Sequence, residues 1–130
     1  MELDYDKYLE RVTGVGFWKT VPKKLYIRFR INCVKVGDIY YNRSGEIYFN
    51  NFIRTICDNP HASYWKVFRE YDGVQFNKKL AIDLFENNKF KLIICNYKFN
   101  LSGLLFENTK YKEMFIIKYG EMFPDSCILK

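Results

Sequence analysis

The chain has 130 residues, 48% hydrophobic and 28% charged, with a formal net charge of +6 and a pI near 9.1. That length suits one domain over residues 1–130 with a core of useful size, and the apolar content excludes a disordered polymer. Positive charge favours anionic partners, whether nucleic acid, an acidic protein surface or a membrane face. The plain alternative is solubility alone, because +6 is ordinary for a small domain.

The chain is rich in Phe (12) and Tyr (11) and poor in Gly (7) and Pro (3). Residue types with AT-rich codons dominate, which suggests an AT-rich genome such as that of a phage or other mobile element. No segment reaches the apolar length needed to span a bilayer, and the opening MELDYDKYLER lacks a signal-peptide apolar region. A cytoplasmic protein with no membrane partner is therefore expected. Its cysteines, Cys33, Cys57, Cys95 and Cys127, are expected as free thiols.

Taken in order, Tyr5, Leu9 and Val12 fall at helical spacing, predicting a helix over 4–12 that Gly14 and Gly16 end. Phe17 and Trp18 then lead to Val21-Pro22. In 24–33, Leu25, Ile27, Phe29, Ile31 and Cys33 alternate with Lys24, Tyr26, Arg28, Arg30 and Asn32, which predicts a strand with one apolar and one cationic face. Ile39-Tyr40-Tyr41 and Ile47-Tyr48-Phe49, separated by Asn42-Arg43-Ser44-Gly45, predict a hairpin.

Asn50 or Asn51 is then expected to cap a short helix in which Phe52, Ile53, Ile56 and Cys57 share a face. Asn59-Pro60 is expected to start a second helix carrying Tyr64, Trp65, Phe68 and Tyr71, with Gly73 at its end. Asn77 should cap a third, with Leu80, Ala81, Leu84 and Phe85 apolar. The run Leu92-Ile93-Ile94-Cys95 predicts a central strand buried on both faces. Ser102-Gly103 is expected as a turn, Leu104–Phe106 as a short strand and Met114–Tyr119 as the last strand, before an irregular tail containing Pro124. Strands in runs predict an α+β fold: an antiparallel sheet of four to six strands with three to four short helices, mainly on one face.

The chemistry-bearing residues are sparse. Cys57 and the single histidine, His61, are four apart, but Pro60 interrupts any helix joining them. A Cys-dependent enzyme using this pair is one alternative; a buried structural thiol beside an exposed imidazole is the ordinary reading. Cys33, Cys57, His61, Cys95 and Cys127 match no zinc-site spacing, so no metal and no cofactor are expected. Gly14-Val15-Gly16 lacks the lysine of a phosphate loop.

The row Lys24, Tyr26, Arg28 and Arg30 has a clearer rationale. Residues two apart on a strand sit about 7 Å from one another, close to the spacing of backbone phosphates. Arginine also stacks on bases and grips phosphate with two hydrogen bonds. The ordinary alternative is a solvated strand face, or one covered by a helix over the arginine stems.

A second candidate is the expected helix pair about Asn59-Pro60, carrying Arg54, Lys66 and Arg69, which could present one helix to a major groove. Residues 45–69, GEIYFNNFIRTICDNPHASYWKVFR, resemble the start of the Bro-N domain of phage antirepressors: Gly-Glu-x-aromatic-Phe closing a hairpin, a helix, Asn-Pro and a second helix. In place of that family's Val-Ala-Lys-Asp stand Asn50-Asn51-Phe52-Ile53, and no residue role is carried over.

The expectation is a small non-enzymatic binding protein, phage- or mobile-element-encoded. It would engage nucleic acid, or a host protein or nucleoprotein complex, through a basic, Tyr-rich face and so inhibit the host component. A DNA- or RNA-binding regulator is the alternative.

Overall fold

The computed structural model describes residues 7–12, 16–30, 33–36, 39–42, 44–64, 78–95 and 100–129. Strands β1 (Leu9–Val12), β2 (Tyr26–Phe29), β5 (Phe90–Cys95), β6 (Asn100–Phe106) and β7 (Ile128–Leu129) form a sheet in the order β1-β5-β6-β2-β7. A separate hairpin joins β3 (Cys33–Val36) to β4 (Ile39–Asn42). The helices are α1 (Gly16–Thr20), α2 (Ser44–Ile56), α3 (Lys78–Asn88) and α4 (Thr109–Tyr119).

Strand β5 is an interior strand, flanked by β1 and β6. Leu92, Ile93 and Ile94 are all fully buried, as an uninterrupted apolar run should be when helices cover both faces. Leu92 and Ile94 join the main core with Phe49, Phe52 and Ile53 of α2, Leu84 and Phe85 of α3, and Phe115 of α4. Ile93 faces the other way, into a smaller cluster with Val12 and Tyr26 that is covered by Phe17 and Trp18 of α1.

The expected all-antiparallel sheet is corrected to a mixed one, because β1 runs parallel to β5. Leu9 and Val12 have helical spacing, yet Leu9 lies in the main core and Val12 in the opposite cluster. Two apolar residues three apart in a strand point to opposite faces, and a sheet buried on both sides accepts both. The parallel pairing continues one residue upstream, where the Leu92 N–H donates to the Tyr8 carbonyl at 2.8 Å.

Residues 45–49 are helical, not the second arm of a hairpin; the observed hairpin lies one step earlier, between β3 and β4. This also removes the hairpin from the Bro-N resemblance. Gly45 explains the close approach of α2 to the sheet, since a Cβ there would collide with the Phe29 side chain. Asn50 and Asn51 lie inside α2 and do not cap it, but Phe52, Ile53 and Cys57 are buried together with Ile56 beside them, as expected.

The end of α2 is a Schellman motif. The Asn59 N–H donates to the Arg54 carbonyl at 3.0 Å, the Asp58 N–H to that of Thr55 at 3.4 Å, and Asp58 adopts φ 49°. Asn59 then accepts the His61 N–H on its side chain at 2.9 Å, the bond foreseen for an Asn-Pro start. The helix expected to start at Pro60 does not: residues 60–64 are turn and irregular backbone, and the rest of the expected helix lies outside the described residues.

Two further elements differ from the sequence reading. Ser102-Gly103 lies within β6, where a Cβ on Gly103 would collide with the Ile27 carbonyl oxygen. Residues 109–119 form a helix whose N-cap is Asn108, its side chain accepting the Tyr111 N–H at 3.2 Å. Phe115 is the buried anchor of α4. Its ring lies 5.4–5.8 Å from those of Phe52, Phe90, Phe106 and Phe123. Such pairs contribute roughly 0.5–1.5 kcal/mol each beyond area burial.

Candidate partner-binding site

The predicted cationic row lies on and beside β2. Lys24 is exposed in the turn of 3-10 helix that leads into the strand, Arg28 is half-buried, and Arg30 is exposed just past the strand end. Arg30 is held by its Nε, which donates to the Ile128 carbonyl at 2.9 Å. Arg28 sets its guanidinium carbon 4.6 Å from the Trp18 ring centroid. Tyr26 lies below the same indole, with ring centroids 4.9 Å apart, and is only 8% exposed.

Helix α1 therefore covers this face of β2. The Tyr26 ring is part of the small core and is not an open stacking surface, whereas Arg28 keeps part of its surface in solvent above Trp18. Tryptophan is the strongest aromatic partner for a cation because of its ring quadrupole, and the contact restrains a side chain that would otherwise sample many rotamers. Lys19, also exposed, stands on α1 next to Trp18.

The other predicted residues go elsewhere. Arg54 sits on α2, which packs on the opposite face of the sheet. Its Nε donates to the Ala62 carbonyl at 2.9 Å and a second guanidinium nitrogen to Asn51 Oδ1 at 3.3 Å. It ties the turn after α2 back onto the helix. Lys66 and Arg69 lie outside the described residues.

On the edge of β2 away from Trp18 is a cavity of about 540 Å³ between β2, α4 and the segment 120–129. Lys23, Arg28 and Lys112 contribute to its wall, along with Asp125 and a largely apolar remainder. The Lys112 ammonium donates to the Lys23 carbonyl at 2.9 Å, and partial burial pushes its pKa down. A second hollow of about 330 Å³ lies near α3, where Lys7, Lys89 and Lys91 are offset by Glu86 and Glu107. There the Lys7 ammonium is 2.7 Å from Glu86 Oε1, which also accepts the Tyr8 hydroxyl at 2.7 Å.

Cys57 is buried, and burial pushes its thiol up, the reverse of the thiolate stabilisation that nucleophilic catalysis needs. His61 is exposed. Among the described residues no cluster of three or more His, Cys, Asp or Glu could hold a metal ion. No described helix is long and apolar enough to cross a membrane.

Trp18, Lys23 and Lys112 are the participants that sequence reasoning missed. Trp18 stood in what read as a connection. Lys112 comes from a helix whose apolar residues read as a strand, so nothing local pointed to it. No protein-family model, curated protein or solved structure matches this chain.

Proposed function

We propose that the protein is a non-enzymatic binding protein that engages the phosphate backbone of a nucleic acid, bare or carried in a host nucleoprotein complex. Lys24, Arg28 and Arg30 form the contact row, with Lys19 beside it. The observation that carries this reading is the position of Arg28, restrained over Trp18 yet still partly exposed, between exposed cations at both ends of the strand. A guanidinium already restrained on a strand against a ring loses less side-chain entropy on meeting phosphate than one on a loop. Basic charge supplies sequence-independent affinity, and the covered Tyr26 ring leaves little for base stacking.

The AT-rich composition supports a phage or mobile-element origin, and in that setting occupying a host nucleoprotein would inhibit it. The test is a pull-down from bacterial lysate with and without nuclease, using wild type and an Arg28→Gln/Arg30→Gln variant. Recovery of nucleic acid that the variant loses supports direct binding. A protein retained after nuclease treatment and lost by the variant moves the reading to protein inhibition. Equal recovery by both proteins rejects this face.

A further inference from the structure

The cavity beside β2 combines features that a phosphate-binding face does not require. Its volume of about 540 Å³ lies within the range of sites for small organic ligands, about 300–1,000 Å³. Ile27, Phe115, Phe123 and Ile128 line its interior, and Ile116 and Leu129 stand at 46% and 40% exposure on its wall. Large aliphatic side chains so exposed around a concavity mark a place where apolar surface is recovered from water on binding.

The charged residues of the wall are Lys23, Lys112 and one acid, Asp125, since the Arg28 guanidinium is turned over Trp18. Lys112 is half-buried against apolar neighbours, with the Lys23 carbonyl as a neutral acceptor at 2.9 Å. A partly desolvated ammonium gains more from an anionic acceptor than from a neutral one, because a charge-assisted hydrogen bond is roughly twice as strong. Strand addition does not explain the site. The Tyr26 N–H, which a paired strand would need, already donates to the Lys23 carbonyl.

We propose that this cavity binds a small amphipathic monoanion, an acyl or aryl carboxylate, with its apolar body against Ile27, Ile116 and Leu129 and its carboxylate toward Lys112 and Lys23. The site adjoins the contact row through Arg28 but does not depend on it. The proposal stands or falls separately from nucleic-acid binding.

The test is calorimetric titration of the full chain with decanoate below its micelle concentration, with decyltrimethylammonium as the matched cation. Saturable one-to-one binding of decanoate is expected, with the cation weaker by about tenfold or more, or 1.4 kcal/mol. Ile116→Glu puts a carboxylate on the apolar wall and should weaken decanoate by about tenfold. Lys23→Gln should weaken it by about threefold. Both positions are exposed, so circular dichroism should show both variants folded. Absence of saturable binding, equal binding of the cationic amphiphile, or unchanged affinity in a folded Ile116→Glu protein would each overturn the proposal.

Discussion

The Arg28 guanidinium carbon rests 4.6 Å from the centre of the Trp18 ring, so a residue of the sheet and a residue of the short helix over it define one cationic surface. If that surface meets phosphate, affinity for an oligonucleotide falls linearly in log–log form with salt. Arg28→Gln and Arg30→Gln should each reduce the slope by about 1 without changing sequence preference. Trp18→Ala should weaken binding by about 0.5–1 kcal/mol through loss of the cation–π contact. Arg54→Gln should leave the slope unchanged and lower stability instead, because its Nε bonds the Ala62 carbonyl. Fluorescence anisotropy across salt concentrations measures the slopes; a wild-type slope near zero would refute the phosphate reading.

Glu46 is buried in the first turn of α2, where the helix dipole favours a carboxylate. Its Oε1 accepts the Tyr64 hydroxyl and the Leu101 N–H, each at 2.9 Å, and so clamps helix, turn and sheet together. Tyr64→Phe should cost about 1.5–3 kcal/mol, the range for hydrogen bonds to charged groups. Glu46→Ala should cost about 3–5 kcal/mol, since it removes the acceptor from two buried donors. Urea denaturation at neutral pH reads both, and a double variant should be less than additive.

Two backbone positions offer changes of opposite sign. Lys89, exposed just past the end of α3, adopts φ 54°, a left-handed conformation that strains an L side chain. Lys89→Gly should raise stability by about 0.5–1 kcal/mol. Gly103→Ala should lower it by about 1–3 kcal/mol, because the added methyl meets the Ile27 carbonyl oxygen in the neighbouring strand. Thermal melts of the two variants should shift in opposite directions.

Burial pushes the thiols of Cys57 and Cys127 up. In the unfolded chain these thiols ionise near pH 8.5. Their contribution to stability is therefore fully present below that pH and is lost as pH rises toward the higher folded values. Denaturation midpoints should fall on the alkaline side, and the slope should flatten in Cys57→Ala/Cys127→Ala. Alkylation mapped by mass spectrometry should find both native thiols slower than the half-buried Cys95. Rapid alkylation of native Cys57 would contradict this and revive the Cys-dependent enzyme.

Local sequence carried the parts of the fold where one spacing has one solution. The run Leu92-Ile93-Ile94 requires burial on both faces, and β5 provides it. Phe52, Ile53 and Cys57 share a helical face wherever α2 begins. Of the row Lys24, Tyr26, Arg28 and Arg30, alternation along a strand gave the shared side of Tyr26 and Arg28, while Lys24 stands in the 3-10 turn before β2 and Arg30 beyond its end.

Long-range contacts decided the rest. Leu9 and Val12 satisfy a helix by spacing, but pairing with β5 and burial on opposite faces make them a strand. Met114, Ile116 and Ile117 resemble a strand, yet Phe115 anchors them as a helix and leaves all three exposed. Short apolar runs fit either period, so the choice falls to whichever partner removes more surface from water. For the same reason the cavity could not be read in advance: its walls bring β2 against α4 and the segment 120–129, far from β2 in sequence, through pairing with β7, the Lys112–Lys23 bond and packing around Phe115 and Phe123.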